Sequence, residues 1–422
     1  MARVWRDEWG RLLALLVAQT RRLDLAEDAL AEAFEQATHR WPADGVPEAP
    51  AGWLLTTARR RVIDRLRAEA MHARKEPLIA MDERHRLADN ESPGAPGDEV
   101  LRLVLLAAHP ALSPEAGAAL TLRLVLGVST ADIARLFLVS EPTMAARLTR
   151  ARKKVVAAGI PLAIPDPDVL SERLDTVAQV AYLAFTAGYA PGSGPEVLRV
   201  DLAGEAIRLV RLVSAQTTQA AESPSLMALL ALMLLQHSRR DARVDPGGSL
   251  VLLPNQDRTV WRQGEIAEGL DLLRRLTAGA DRVAVTSLIA ASYVLQALIA
   301  AEHARARTAG ETDWVAIADL YRQLDELTGS PVVRLNRAVA VAEAGDVPAA
   351  LALTDGVERE LPHSHRAAAV RADLLARQGR VAESATAYDR AIELCGNDAE
   401  RAVLQRAKRK HTRDTGRSNG IP

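Results

Sequence analysis

The 422 residues are enough for two to four domains, each with its own core. Almost half are hydrophobic but only 3% are aromatic, and Ala, Leu and Arg abound, a supply of strong helix formers that points to an all-α protein. The net charge of −1 gives no bulk attraction for nucleic acid, so any basic surface has to be local, and the single cysteine, Cys395, excludes an intrachain disulfide and a cysteine-built metal cluster.

Helical periodicity begins near Val4. The early acids Asp7 and Glu8, with no small-residue cleavage site after them, argue against a signal peptide. The longest apolar run, Leu226 to Leu235, is about half the roughly 20 residues that a bilayer span needs, so a cytoplasmic protein with no membrane contact is expected. From Leu23 to Ala37, Leu23, Ala26, Leu30, Phe34 and Ala37 make one apolar stripe, with Asp28, Glu32 and Glu35 on the reverse face. Such an acidic face is a poor DNA contact. It suits docking on a basic protein, and equally a solubilising surface.

A Pro/Gly-rich loop, Trp41 to Pro50, is expected to break the pattern before the next helix. There Leu55, Ala58, Val62 and Leu66 read as inward-facing, and Trp53, Thr56, Thr57, Arg60 and Arg67 as outward-facing. Arginines beside an aromatic suit opened DNA, because the cations track phosphates while the ring stacks an unpaired base. Asp64 is expected to pair with Arg60 or Arg67 along the helix. Trp41 and Trp53 could also simply be core residues.

The stretch Asn90 to Gly97 reads as a linker, and a second helical unit runs from about Asp98 to Gly159. Within it Ser129 and Ser140 are placed to cap two successive helices across a turn at Leu138-Val139, and Pro142 falls in the first turn of the second. That helix carries Met144, Leu148, Ala151 and Val155 on one face. Thr143, Arg147, Arg150 and Lys154, with Lys153 beside them, lie on the other. Apolar behind and cationic in front, after a short capped helix and a tight turn, it reads as a helix-turn-helix entering the major groove.

The remaining residues look helical apart from Arg243 to Leu253, expected as a short β-hairpin about a Pro-Gly-Gly turn. Ala344-Gly345-Asp346-Val347 recurs 34 residues later as Gln378-Gly379-Arg380-Val381, and Ala338 recurs as Ala372; Tyr321 and Tyr388 fall near two periods apart. That period is the tetratricopeptide (TPR) signature, which offers a groove for a protein or peptide partner. His237, Asp241, Asp245, Asp257 and Trp261 cluster near the expected hairpin. No HExxH, phosphate-binding glycine loop or serine nucleophile motif accompanies them, so catalytic residues, metal ligands and cofactors are not expected.

Together these motifs resemble RNA polymerase sigma factors of the extracytoplasmic-function type. Asp24 to Phe34 is similar to the segment of their region 2 that docks on core polymerase, which implies that role for Asp24, Asp28, Glu32 and Glu35. Trp53 to Arg67 resembles the helix that recognises the −10 element, with Arg60 where many relatives have Asn. Asp132 to Phe137 with Ser140 to Lys154 resembles region 4, which reads the −35 element.

Tyr182 to Tyr189, His237 to Arg240 with Arg243 to Asp245, and Gln256 to Trp261 resemble the blocks of a subgroup that ends in a TPR-containing extension. Ala107 to Pro110, Leu112 to Pro114 and Leu120 to Arg123 do too, with Ala107 and Ala108 where that subgroup has cysteines. The resemblance implies region 2 over 1–70, a linker over 71–97, region 4 over 98–160 and a helical extension over 161–422, TPR-like at about 312–410. It also implies core RNA polymerase and promoter DNA as partners, regulation by the extension, and no catalysis by the chain itself. The alternative is a TPR-bearing helix-turn-helix regulator that acts without core polymerase.

Overall fold

The computed structural model describes residues 2–73, 98–137, 139–189, 200–245, 247, 250–278 and 287–418. Among them every regular element is helical, as the composition leads one to expect. The expected linker at 74–97 lies outside the described residues, as do Leu138 of the expected turn and Pro246 and Gly248 of the expected hairpin. The chain divides into two compact units, Met1–Ala184 with Arg208–Ser223, and Phe185–Ile207 with Pro224–Pro422.

The first unit opens with α1 (Ala2–Thr20), α2 (Leu23–Asp44) and α3 (Pro50–Ala73). The stripe Leu23, Ala26, Leu30, Phe34 and Ala37 is buried on α2. Phe34 and the stacked indoles of Trp5 and Trp9, 4.3 Å apart, anchor this bundle. The expected loop at 41–50 is shorter than the sequence suggests, because α2 continues through Pro42 to Asp44 before Gly45 ends it. Pro42 has no N–H to offer the Thr38 carbonyl, and the helix ends within a turn of it, where the Gly45 N–H donates to the Trp41 carbonyl.

α4 (Asp98–Ala107), α5 (Pro114–Leu124), α6 (Thr130–Leu136) and α7 (Glu141–Ala157) follow. Ser113, Ser129 and Ser140 cap α5, α6 and α7, each accepting a hydrogen bond from the backbone N–H three residues on. Leu101, Val104, Leu120, Leu124, Ile133 and Leu148 are among the buried side chains of this second bundle.

α8 (Pro167–Tyr189) and α9 (Val200–Ser214) each straddle the division between the units; the short α10 (Thr218–Ala221) belongs to the first. In the second, α11 (Pro224–His237) is apolar all round and buried on every side, as a central core helix must be. It is flanked by α12 (Gln263–Thr277) and α13 (Leu288–Arg305). Between α11 and α12, Val244 and Leu250 form a single antiparallel bridge, with Val251 N–H donating to the Arg243 carbonyl at 2.9 Å. Among the described residues the expected β-hairpin is thus reduced to one bridge.

The chain then winds through α14 (Trp314–Thr328), α15 (Pro331–Glu343), α16 (Val347–Leu353), α17 (Val357–Glu360), α18 (His365–Arg377), α19 (Val381–Leu394) and α20 (Asp398–Ser418). α15 and α18 begin 34 residues apart, as do α16 and α19. The turns between them hold Gly345 and Gly379 at φ of 104° and 75°, a left-handed region that glycine enters without steric cost. Ala338 and Ala372 are both fully buried where the helices touch, so the repeat read in the sequence is a repeat of helical hairpins.

Candidate nucleic-acid interface

α6 and α7 build a helix-turn-helix. Ser129 accepts from Asp132 N–H at 3.1 Å and Ser140 from Thr143 N–H at 3.3 Å, so both helix starts are held by the side chains the sequence singled out. Met144, Leu148, Ala151 and Val155 are buried. Opposite them Thr143, Arg150, Lys153 and Lys154 are exposed, and among the described residues neither Arg150 nor the two lysines has an ion-pair partner. Arg147 is half-buried, its guanidinium lying 5.9 Å from the Phe137 ring centroid. This is a cationic ridge on a rigid support, free to take phosphates or base edges.

On α3, Ala58 and Val62 face inward as expected, but the fully buried leucine is Leu54, with Leu55 and Leu66 only half-buried. Leu54, Ala58 and Val62, at i, i+4 and i+8, make the inward stripe, and Trp53 beside Leu54 meets Trp41 edge to face. Thr56, Arg60 and Arg67 are exposed, Thr57 half-buried. Asp64 pairs with Arg67 at 3.9 Å rather than with Arg60, which has no ion-pair partner among the described residues. Trp41 is 6% exposed and its indole N–H is buried without a hydrogen-bond partner among the described residues.

The acidic face of α2 is partly engaged by the neighbouring helix. Arg65 pairs with Asp28 at 3.4 Å and also with Glu32, which Arg61 approaches at 3.7 Å. Asp24 is held by Arg22 at 3.0 Å, a hydrogen bond and charge that keep its carboxyl below the usual range despite partial burial. Glu35 is exposed. The sequence overlooked Glu27. It is 4% exposed and accepts from Arg123 Nε at 2.7 Å and Arg152 Nη2 at 2.5 Å. Its signal was present, for Glu27 lies four residues after Leu23 and seven before Phe34, a carboxylate inside the apolar stripe.

In the second unit the polar residues noted near Arg243 make structural bonds. Asp241 accepts from Arg262 at 2.6 Å, and Asp257 caps its own turn through Thr259. Trp261 is buried under the Arg258 guanidinium, 4.8 Å from its centroid, and Arg258 also donates to the carbonyls of His303 and Ala306. Arg240 donates to Glu265, which lies 3.0 Å from His237 Nδ1; burial raises the Glu265 carboxyl, but these partners outweigh it and leave it lowered. Elsewhere His365, Cys395 and Glu400 bring three donor atoms within 4.8 Å of one another. Glu400 is already taken by His365 at 2.8 Å and Arg366 at 3.0 Å, and the adjacent guanidinium opposes a cation.

Residues 6–71 match the family model for Sigma-70 region 2, and residues 102–155 that for Sigma-70, region 4. Residues 173–277 match a family of unknown function, DUF6596. An uncharacterized protein of Rhizobium meliloti (strain 1021) is 41% identical over 397 residues, covering 93% of this chain and 91% of its own length. No solved structure matches. No described helix is long and apolar enough to cross a membrane.

Proposed function

Because the chain belongs to the sigma-70 family, as an extracytoplasmic-function sigma factor with a helical extension, we propose a division of labour among its helices in promoter-specific initiation. α2 docks on core RNA polymerase through Asp24, Asp28, Glu32 and Glu35. α3, with Trp53, Thr56, Thr57, Arg60 and Arg67, opens the −10 element and holds its unpaired strand. α7 reads the −35 element through Thr143, Arg147, Arg150, Lys153 and Lys154. The domain limits follow the same division: 1–70, a linker at 71–97, 98–160, and the extension from 161.

The observation that carries this reading is the contrast in charge pairing. Within the first unit Arg61, Arg65, Arg123, Arg135 and Arg152 are tied to carboxylates, whereas Arg60 on α3 and Arg150, Lys153 and Lys154 on α7 are exposed and have no ion-pair partner among the described residues. Cations left unneutralised on two helices are what phosphate binding with counterion release requires. The extension is read as TPR-like over about 312–410, supported by the 34-residue spacing of its hairpins, and as a regulator that takes a protein or peptide partner. Purified chain with core polymerase should give run-off transcripts from a cognate promoter. Binding to duplex promoter DNA without any association with polymerase would favour the regulator alternative. A chain ending near Gly159 separates the roles of the extension, since a rise in transcription marks inhibition and a loss marks support.

A further inference from the structure

Lysine is rare in this chain and unevenly placed. Of the five lysines, Lys153 and Lys154 lie on α7 and Lys408 and Lys410 on α20. α20 follows the second of the repeated hairpins and runs for 21 residues, against 13 each for α15 and α18, the helices that open those hairpins. Between Glu400 and Asp414 the sequence holds Arg401, Arg406, Lys408, Arg409, Lys410 and Arg413 and no acid.

These cations divide between two sides of the helix. Arg401 donates to the Cys395 carbonyl, and Lys408 to Asp389 of α19 at 2.5 Å. Arg406, Arg409, Lys410, Arg413 and Arg417 fall at i, i+3, i+4, i+7 and i+11, the positions of a single face. Arg406 and Lys410 are exposed, and neither has an ion-pair partner among the described residues. Without Arg409, the set repeats the spacing of Thr143, Arg147, Arg150 and Lys154 on α7.

Two ordinary explanations fall short. The helix dipole attracts cations to a C-terminus, but its pull fades within the last turn and accounts for Arg417 alone. A solvated face carries both signs. Elsewhere in the second unit arginines pair with acids three or four residues away, as Arg305 does with Glu302, Arg322 with Asp319 and Glu326, and Arg380 with Glu383. From Arg406 to Arg413 α20 has no acid to offer, and like charges at i, i+4 weaken a helix that no anion meets.

We infer that α20 is a third DNA-binding element, a ridge that lies along the phosphate backbone of duplex DNA without reading its bases. The inference rests on the sigma-factor reading, which brings the chain to a promoter, and gives the extension a DNA contact of its own. From Arg406 to Arg417 the ridge is about 16 Å long. Duplex DNA carries one negative charge per roughly 1.7 Å of its axis, so phosphates accompany the ridge along its whole length. α20 holds no Phe, Trp or Tyr to stack unpaired bases, and beyond Leu404 it has no large apolar side chain to enter a lipid surface.

The test compares the full chain with two variants that each lose three positive charges. Arg406→Gln/Lys410→Gln/Arg413→Gln strips the ridge. Arg307→Gln/Arg366→Gln/Arg390→Gln removes arginines elsewhere in the second unit. Glutamine is a good helix former, and circular dichroism with thermal unfolding checks that both variants fold. Binding of each free chain to a duplex of arbitrary sequence is titrated at rising salt. At about 0.1 M salt the ridge variant should bind about tenfold or more weakly than the native chain. Its slope of log affinity against log salt should fall by about 2 to 3, since each phosphate contact contributes about 0.9. The second variant should keep the native slope. A native chain that binds no duplex, an unchanged slope in the ridge variant, or an equal loss in the second variant overturns the inference. So does a ridge variant that keeps its DNA affinity but loses affinity for core polymerase, which assigns the cations to a protein surface. Run-off transcription is read separately. Its absence with the native chain removes the sigma-factor assignment and leaves α20 to be judged on the salt slope, whereas transcription with an unchanged slope removes only the ridge.

Discussion

Trp41 and Trp53 meet edge to face, their ring centroids 5.6 Å apart and their planes at 67°. The contact joins the end of α2 to the start of α3 across the short connection between them. The two rings are unequal, since Trp41 is buried and Trp53 half-exposed. Trp41→Ala should therefore cost about 3–5 kcal/mol of stability, read by urea unfolding. Trp53→Ala should cost markedly less and act mainly on opening of the −10 element, measured by permanganate reactivity of promoter thymines. Equal losses of stability would show that Trp53 is a core residue only.

Arg150→Ala should weaken binding at particular bases of the −35 element by about 1–3 kcal/mol, scored against a panel of single-base promoter variants. Lys153→Ala and Lys154→Ala should instead weaken all sequences alike and each reduce the salt slope by about 1. A uniform loss for Arg150→Ala would assign it to phosphate as well.

Ser140→Ala removes the oxygen that holds the first turn of α7. A cost of about 1 kcal/mol in stability is expected, with a matching fall in −35 affinity as the helix start frays. Ser140→Asp, which supplies an equivalent acceptor, should restore stability, measured by thermal unfolding.

Burial, with the nearby charges of Arg239 and Arg258, pushes the His303 imidazole down to about 4, and its Nδ1 is buried without a hydrogen-bond partner among the described residues. In the unfolded chain the ordinary value near 6.5 returns. Between these two pH values the unfolded form binds a proton that the folded form does not. Stability is then complete above about pH 6.5 and declines as pH falls toward 4, by up to about 3 kcal/mol. His303→Gln should flatten this part of the profile in urea titrations at pH 7 and pH 5; parallel profiles would remove His303 as the cause.

Arg377 pairs with Glu343 at 2.5 Å, two residues separated by the 34-residue repeat and placed on successive hairpins. Both are partly exposed, so a double-mutant cycle should give a coupling of only about 0.2–1 kcal/mol. A larger value would mark this pair as a determinant of how the hairpins stack.

Much of this organisation is written in local pattern. The apolar stripes of α2 and α7, the serine caps and the 34-residue hairpin repeat depend on residues within a turn or two of each other, so the period of the sequence predicts them. Where the local reading missed, a distant contact intervened. The inward face at the start of α3 includes Leu54, next to a Trp53 that meets Trp41 on α2, and the residues flanking the expected hairpin are tied to distant ones, Asp241 to Arg262 and Arg258 to the His303 carbonyl.

By itself the sequence determined that the chain is helical and that two cationic helices stand apart in it, while the carboxylate of Glu27 went unread. Only the tertiary structure decided which cations that carboxylate would meet. Arg123 and Arg152 lie 96 and 125 residues further along, and no helical period extends across such a gap. The cost of burying a charge demands a partner but does not say where in the chain it will be found, and chain folding alone selects it.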